Sequence, residues 1–349
     1  MSEITIKEVA KRCGVGVSTV SRALNNHSDI NPETKARIMK VIEETGYIPN
    51  NSARNLKRTD SKCIAVLIKG ITNPFFSPMI EVIEDETRRK KYSLVIRHVG
   101  AYEDEADVAL ELEKERKLRG IIFLGGGYRK STNKLKSLSV PVVFSTIGAP
   151  LIESQSKADF SSVSVDDRLE SKRMIEHMIG LGHKKIAIIT EGSEELSVGQ
   201  LRLQGYVEAL KAAKIEVNED LIRYLDPNLE HYSVQNGYRT AKDLINSGTE
   251  FTAIFCVSDM LAIGACRALM DAGYKIPKDI SVSGFDGLSI GQYYSPRLTT
   301  MRQPMMELSR QSIGLLFDII DEVSEHKNIT LACELIQGES VWKPKGYRK

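Results

Sequence analysis

The chain has 349 residues, of which 27% are charged and 42% hydrophobic, and a formal net charge of +2. This length exceeds the size at which one hydrophobic core usually divides, so two or three domains are expected. No apolar run approaches a membrane span and no signal peptide opens the sequence, which predicts a cytoplasmic protein. The five cysteines are odd in number, scattered and without a C-x-x-C pair, which favours reduced thiols over disulfides or a metal site.

Charge is unevenly distributed along the chain. Residues 1–62 hold 11 Lys and Arg against 7 Asp and Glu, a net charge of +4, whereas the remainder holds 37 against 39. A basic N-terminal region on a near-neutral body is compatible with binding to nucleic acid, although the total charge alone would not indicate it.

The N-terminal region predicts three short helices joined by tight turns. A capping box that starts at Thr5 begins the first helix, and the Gly-Val-Gly at residues 14–16 ends it. A second helix is predicted over residues 17–24. A third begins after the cap residue Asn31 and ends before Gly46.

The second helix favours DNA binding over a purely structural bundle. It is rich in Ser and Thr, which are weak helix formers but suit base edges and phosphates in the major groove. Its predicted exposed face carries Val17, Ser18 and Arg22. We therefore interpret the three helices as a helix-turn-helix head.

The run VAKRCGVGVSTVSRALN at residues 9–25, with YIPNNSARNLKR at residues 47–58, resembles the lactose/galactose repressor family of bacterial transcription regulators. Further motifs agree in order along essentially the whole chain: ITNPFF, GHKKIAII, RLQGY, SDMLAIGA, SGFDG and LTTMRQP. The resemblance implies an all-α DNA-binding head over residues 1–48 and a hinge over residues 49–61. It also implies an effector-binding body.

The resemblance places double-stranded operator DNA against both the head and the hinge. The hinge segment, residues 50–58, is too short to hold a helix in water by itself, so we expect it to fold only when paired on DNA. In the family a Leu of this helix wedges open a minor-groove base step, and Leu56 is the match. The implied DNA contacts are Thr5, Val17, Ser18, Thr19, Ser21, Arg22, Asn25, Tyr47, Asn50, Arg54, Leu56 and Lys57.

From Cys63 onward apolar runs alternate with charged amphipathic stretches, which is typical of parallel sheets covered on both faces by helices. Because the alternation restarts near residue 162, two similar α/β lobes are predicted. The expected boundaries are 62–161 with 292–322 for the first lobe, and 162–291 with 323–343 for the second. This pattern matches the family's periplasmic-binding-protein-like body, whose ligand lies in a cleft at the carboxyl ends of the strands.

Positions just after the strands are predicted to line that cleft, and the family motifs select the same places. Phe75 and Phe76 offer an aromatic wall, with burial in the core as the open alternative. The fork of Arg202 would grip effector oxygens, and Asp286 would accept hydrogen bonds from the effector. Asp259 is expected to support the cleft loop. The remaining implied effector contacts are Thr146, Tyr232, Ser258 and Gln303.

One position departs from the sugar-responsive members of the family. Thr146 stands where they often have Asp, and the apolar Ile147 follows it. The first lobe therefore offers fewer acceptors for hydroxyl groups. Either the effector is less hydroxylated, or its polar contacts come mainly from the second lobe; a sugar or sugar derivative remains the expected effector.

An enzyme is not favoured by the sequence. The glycines at residues 125–127 match neither G-x-G-x-x-G nor G-x-x-x-x-G-K-[ST], and we interpret them as a strand-end turn. No His pairs with Cys, Asp or Glu at metal or triad spacing, and no nucleophile elbow is present. We therefore expect no catalysis, no metal and no cofactor.

Two binding proteins remain as alternatives. A transport-type sugar-binding protein shares the body but would carry a signal peptide and lack the head. A catabolite-control-type global regulator, activated by a phosphorylated partner protein docked on the first lobe, is the closer alternative. Arg202 argues for a small effector, since such a regulator does not need a guanidinium in its cleft.

The resemblance implies a homodimer on a pseudo-palindromic operator, with an effector that changes the rotation between the lobes. The C-terminal segment has no heptad tail, so a dimer is predicted over a tetramer. An effector that favours separated hinges would be an inducer, and one that favours paired hinges a corepressor. The sequence is compatible with both.

Overall fold

The N-terminal helices follow from local signals in the sequence. The computed structural model describes residues 4–24, 30–45, 62–100, 103–126, 132–148, 160–192 and 197–344. The chain divides into two compact units, residues 1–61 and 62–349. The first contains three helices: α1 (Ile6–Cys13), α2 (Val17–Leu24) and α3 (Pro32–Thr45).

Caps set the helix ends in this unit. The Thr5 Oγ1 accepts a hydrogen bond from the Glu8 N–H at 3.4 Å and so begins α1. Gly14 ends α1 with a φ of 62°, a left-handed conformation that glycine adopts without a Cβ clash. The Asn31 Oδ1 accepts from the Glu33 N–H at 2.9 Å and begins α3. The three predicted helices are confirmed; the predicted stop at Gly46 lies outside the described residues.

The body consists of two α/β lobes. In chain order its elements are β1 (Cys63–Lys69), α4 (Ser77–Arg89), β2 (Ser93–Val99), α5 (Glu105–Glu115), β3 (Gly120–Leu124), α6 (Thr132–Leu135), β4 (Val142–Ser145), β5 (Ser161–Val165), α7 (Asp167–Gly180), β6 (Ile186–Thr190), α8 (Val198–Ala212), a 3₁₀ turn (Glu219–Leu221), β7 (Ile222–Tyr224), α9 (Val234–Asn246), β8 (Ala253–Cys256), α10 (Asp259–Asp271), β9 (Ser281–Asp286), α11 (Ser289–Tyr293), β10 (Thr299–Arg302), α12 (Met305–Ile320), β11 (Asn328–Leu331) and β12 (Glu334–Ile336).

The two sheets have the same strand order. The first runs β11-β5-β4-β3-β1-β2 and the second β12-β10-β9-β8-β6-β7. All neighbours are parallel except β12, which is antiparallel to β10. The chain reverses its direction of winding at β1 and β3 in the first sheet, and at β6 and β8 in the second. Ligands bind outside the carboxyl ends of strands at such switch points.

Three strands lie in the lobe opposite to the one predicted. The strand at residues 161–165 pairs with β4 and belongs to the first sheet, as does β11. The strand at residues 299–302 pairs with β9 and belongs to the second sheet. The predicted boundaries are wrong for these segments because a buried apolar strand looks the same in either sheet. Its partner is fixed by non-local hydrogen bonds.

The chain therefore passes between the lobes three times. The first crossover lies between β5 and α7, the second between β10 and α12, and the third between β11 and β12. Any rotation of one sheet against the other has to be absorbed by the backbone at these short segments. No helix among the described residues is long and apolar enough to cross a membrane.

Candidate functional site

The outward face of α2 presents small polar groups and one cation. Val17 is 41% exposed, and Ser18 and Arg22 are exposed as well, whereas Val20 and Ala23 are buried against the other helices. This is the face that the sequence predicted for base contacts. Thr19 and Ser21 are half-buried at its sides, and the hydroxyl of Thr5 caps α1. The other implied DNA contacts lie outside the described residues: Asn25, Tyr47, Asn50, Arg54, Leu56 and Lys57.

In the second lobe, polar side chains converge at the carboxyl edge of the sheet around Arg202. This residue lies near the start of α8, and it is 5% exposed. Its Nε donates to the Asp167 Oδ1 at 2.9 Å, and its Nη2 lies 2.7 Å from the same oxygen. Its Nη1 donates to the Val257 carbonyl. The guanidinium carbon lies 3.7 Å from the centroid of the Phe285 ring, so the group is held flat in one position.

Asp286 ends β9 directly beside this guanidinium. Its Oδ1 lies 3.8 Å from the Arg202 Nη1 and accepts a hydrogen bond from the Gln303 Nε2 at 2.9 Å. The Gln303 backbone N–H also donates to the Asp286 carbonyl at 3.0 Å. The structure thus brings three of the predicted effector residues together. Gln303 contacts Asp286 with both its amide groups, and the effector contact predicted for it stays a prediction.

Tyr232 supplies a polar group without a well-formed hydrogen bond among the described residues. Its hydroxyl oxygen is buried and meets standard hydrogen-bonding geometry with none of them, although the Glu191 carboxylate is close enough to act as a weak acceptor. Glu191, Arg202 and Asp286 are close enough to act on it electrostatically. Glu191 follows β6, and its Oε2 lies 3.5 Å from the His231 Nδ1. A buried hydroxyl left unpaired costs free energy, which a ligand could recover by hydrogen bonding to it.

Ser258 and Asp259 support the site from behind. The Ser258 Oγ accepts from the Leu261 N–H at 3.3 Å and caps α10. The Asp259 carboxylate accepts from the Leu288 N–H and the Thr300 hydroxyl, each at 2.6 Å. The expectation that Asp259 supports the cleft loop agrees with these bonds. For Ser258 an effector contact stays a prediction beside its role as a helix cap.

The first lobe presents two aromatic rings at the corresponding edge, where Lys69 at the end of β1 also pairs with the buried Glu105 at 3.1 Å. Phe75 and Phe76 follow β1, are 4% and 7% exposed, and meet edge to face with ring centroids 5.4 Å apart. A Cβ on Gly125 would lie 2.9 Å from the Phe76 ring, so glycine is required at this strand end. The Thr146 Oγ1 accepts from the Gly125 N–H at 3.3 Å. Thr146 thus uses its hydroxyl to hold the loop after β3.

Sequence reasoning missed three polar residues of the site. Asp167, Glu191 and His231 carry no family motif that was used. Asp166 and Asp167 follow β5 in succession, and the Asp166 side chain alone caps α7 by accepting from the Leu169 N–H. Asp166 is sufficient to cap α7, so the helix start does not require a second acidic residue at Asp167. This redundancy was the one feature of the sequence that could have indicated another role for Asp167.

Burial controls the protonation of the carboxyl groups at this edge. It raises the pKa of Asp286 to about 7 against the opposing effect of Arg202. It likewise raises the pKa of Asp259 to about 8, against the opposing Thr300 hydroxyl. Burial would also raise the pKa of Glu191, but His231, Ser197 and the Gly199 N–H together lower it. The Glu191 carboxylate in turn raises the pKa of His231.

The comparisons with known proteins agree with this architecture. Residues 5–50 match the model of the bacterial regulatory proteins of the lacI family, and residues 175–341 match a periplasmic binding protein-like domain. The transcriptional regulator MalR of Clostridium butyricum is 34% identical over 97% of this chain and 99% of its own length. The ribose operon repressor of Haemophilus influenzae is 30% identical over 98% and 99%.

A solved structure extends the similarity to the whole architecture. The complex of the transcriptional regulator CelR with cellobiose superposes with a TM-score of 0.70 at 27% identity, covering 97% of this chain and 99% of the other. The matched regions include the helix-turn-helix and the body that holds the polar cluster around Arg202. The chain belongs to the LacI family of bacterial transcription regulators.

Proposed function

We propose that this regulator represses a carbohydrate-utilisation operon, and that an uncharged sugar or sugar derivative bound between the lobes controls its operator affinity. The observation that carries the proposal is the convergence of Arg202, Asp286 and the unpartnered Tyr232 hydroxyl at the carboxyl edge of the second sheet. These groups form a small set of fixed donors and acceptors in a largely apolar surrounding, as small-molecule sites require.

The balance of charge favours a ligand without charge. The Arg202 guanidinium already lies within 4 Å of two carboxyl groups, those of Asp167 and Asp286. Burial raises the pKa of Tyr232, and Glu191, which is close enough to raise it further, adds a third carboxyl group. An anionic group such as a phosphate would be repelled there, whereas sugar hydroxyls can donate to the carboxylates. Two relatives support this class of ligand, since one is a ribose operon repressor and another was solved with cellobiose.

Operator recognition is proposed to come from the head and the hinge. The exposed Val17, Ser18 and Arg22 on α2 would read base edges in the major groove of double-stranded DNA. A homodimer would place two heads on the half-sites of a pseudo-palindrome, with Leu56 of each hinge at its centre. Because operator DNA lies in the cytoplasm, the protein would act there. Catalysis forms no part of the proposal.

The DNA part is tested by comparing two arginines of the head. Arg22→Ala should cost about 1–3 kcal/mol of affinity for the cognate operator and relax preference at one base pair. Arg37→Ala, on the exposed side of α3, should at most weaken binding uniformly over all sequences. Operator binding is measured by fluorescence anisotropy on a set of single-base variants. An unchanged preference in Arg22→Ala would contradict the assignment of base contacts.

The effector part is tested by titrating the full-length protein with ribose and cellobiose, together with ribose 5-phosphate as a charged counterpart. Calorimetry should detect binding of an uncharged sugar, and the bound sugar should change operator affinity. If the phosphate ester binds and the uncharged sugars do not, the charge argument is wrong. If no small molecule binds but a phosphorylated partner protein raises operator affinity, the catabolite-control alternative replaces this proposal.

A further inference from the structure

At each of the three interlobe crossovers, a buried or half-buried polar side chain forms hydrogen bonds that connect the crossover to the second lobe. At the first crossover, Asp167 is the first residue of α7, and its side chain is 2% exposed. Both hydrogen-bonding contacts of its Oδ1 are with the Arg202 guanidinium, at 2.9 and 2.7 Å. The Ser171 hydroxyl, one turn further along α7, donates to the Arg202 carbonyl at 2.7 Å. A displacement of Arg202 is therefore transmitted to the start of α7.

At the second crossover, Gln303 makes the equivalent connection to Asp286. Its side-chain and backbone N–H groups both donate to Asp286, at 2.9 and 3.0 Å. The next residue, Pro304, leads into α12, which packs on the first sheet. Gln303 is 4% exposed, so water does not compete for the bond to Asp286.

At the third crossover, α7 holds the backbone of Cys333. The Cys333 N–H donates to the buried Glu170 carboxylate at 3.0 Å, and the Arg173 Nη1 donates to the Cys333 carbonyl at 3.2 Å. Glu170 and Asp167 are one helical turn apart on the same helix. The first and third crossovers are thus joined through α7, and the second is joined to them through the Asp286–Arg202 pair.

We propose that Asp167 and Gln303 are positioning residues that couple effector binding to lobe rotation. Each bonds one proposed effector-contacting side chain to one crossover, so a ligand that contacts Arg202 and Asp286 must alter the bonds at both. A ligand hydroxyl that donates to Asp286 competes with the Gln303 amide for its oxygens. The inference rests on the proposed function, and it assigns Gln303 a role through Asp286 in place of ligand contact.

The test measures effector affinity and operator response separately in the full-length protein. The response is the ratio of operator dissociation constants with and without a saturating concentration of whichever of ribose or cellobiose binds the parent. Gln303→Met removes the side-chain amide at similar volume and keeps the backbone bond. Gln311→Met is the matched control, because the Gln311 amide on α12 contacts only Glu307 of its own helix among the bonds described for it.

The operator response of Gln303→Met should fall towards one, from the 5–150-fold that coupling commonly produces, and by a larger factor than its sugar affinity falls. Gln311→Met should keep both values. Sugar affinity lowered tenfold or more with an intact response at saturation would mean that Gln303 contacts the ligand, and would overturn the inference. An unchanged affinity and response would overturn it as well.

Asp167→Asn gives an independent second measurement. The asparagine keeps an oxygen for Arg202 but removes the charge, so the bond to the first crossover weakens without a change of shape. Its operator response should fall by a larger factor than its sugar affinity, whereas a purely structural role would lower only the unfolding midpoint. A parent protein that binds neither sugar would refute the proposed function itself. If the parent binds a sugar and responds to it, and both variants respond as strongly as the parent, the coupling alone is refuted.

Discussion

The carboxyl edges of the two sheets present unlike groups. At the first lobe's edge, the Phe75 and Phe76 rings pack together, the Thr146 hydroxyl accepts from Gly125, and Lys69 pairs with the buried Glu105 at 3.1 Å. At the second lobe's edge, Arg202 and Asp286 are buried charged groups in contact with each other. The second lobe is thus suited to fix the polar groups of a ligand, and the first to cover an apolar face of it.

The Thr146 hydroxyl is engaged with the Gly125 N–H, so it does not stand in for the Asp that the family resemblance leads one to expect there. Under the proposed function, the polar groups that would recognise the ligand lie mainly in the second lobe. The buried ionisable groups that make this possible also carry a free-energy cost, because charges are removed from water. Stability measurements should therefore separate the two lobes as clearly as ligand binding does.

The largest effect is expected when the cation is removed from the second lobe. Arg202→Ala leaves the Asp167 and Asp286 carboxyl groups buried beside each other, which should lower the unfolding free energy by about 3–5 kcal/mol and abolish the effector response. Urea denaturation followed by circular dichroism measures the first quantity, and operator titration the second.

The control is an exposed arginine of the same lobe. Arg267 pairs with Asp271 at 2.7 Å on the surface of α10, with its side chain 64% exposed. Arg267→Ala should change the unfolding free energy by at most about 1 kcal/mol. Equal losses in the two variants would show that the burial of Arg202 has no energetic consequence.

The raised pKa values of Asp286 and Asp259 predict a pH dependence of stability. Both folded-state values, about 7 and about 8, lie above the value of about 3.9 for an unfolded Asp. The folded protein therefore binds more protons, so stability falls as the pH rises from about 4 towards 7 and 8 and levels off above these values. The slope should reach on the order of 1.4 kcal/mol per pH unit for each carboxyl group.

Urea midpoints from pH 5 to pH 9 measure this dependence. Asp259→Asn should flatten the profile, since the variant keeps an oxygen for the Leu288 N–H but has no proton to lose. A parent profile that does not fall between pH 5 and pH 7 would contradict the raised pKa values of both carboxyl groups.

A smaller effect is expected from two tyrosines of the second lobe whose hydroxyl groups are buried, the half-buried Tyr232 and the fully buried Tyr206. Tyr232→Phe removes a hydroxyl without a described partner, so it should raise the unfolding free energy by about 1–3 kcal/mol and weaken effector binding. Tyr206 donates to the Ile186 carbonyl at 2.8 Å. Tyr206→Phe should lower the unfolding free energy by about 1 kcal/mol and leave effector affinity unchanged. If both substitutions changed the unfolding free energy in the same direction, this would contradict the idea that the Tyr232 hydroxyl is left unpaired for a ligand.

The smallest effect on ligand binding is expected in the first lobe. Thr146→Val removes the acceptor for the Gly125 N–H and should cost about 1 kcal/mol of stability. Effector affinity, measured by calorimetry, should stay within about threefold of the parent, in contrast to Tyr232→Phe. A tenfold loss would place a polar ligand contact in the first lobe and remove the asymmetry.

The head was predictable from sequence because its signals are local. The caps at Thr5 and Asn31 and the glycine at 14 are direct sequence neighbours of the helices that they begin or end. The alternation of strands and helices in the body was also predictable, but the predicted boundaries put β5, β10 and β11 in the wrong lobe. Strand pairing joins residues far apart in the chain, and the apolar pattern of a buried strand does not identify its partner.

The sequence predicted which residues belong to the candidate site better than it predicted which side chains contact one another there. The family motifs identified Arg202, in the second turn of α8, and Asp286, at the end of β9. Sequence did not indicate that the Thr146 hydroxyl holds Gly125 or that the Gln303 amide holds Asp286. The direction of a side chain depends on its neighbours in space, which a position after a strand does not specify.

By itself, the sequence determined the class of the protein: a helix-turn-helix head on a two-lobed α/β body, because helix caps, apolar periodicity and motif order are written along the chain. Tertiary structure decided which strands form each lobe and which carboxyl groups surround Arg202. Asp167, from the first crossover, and Asp286, from the end of β9, are 119 positions apart in the sequence, yet both meet that guanidinium. Burial then sets their charge, and burial is a property of the folded chain alone.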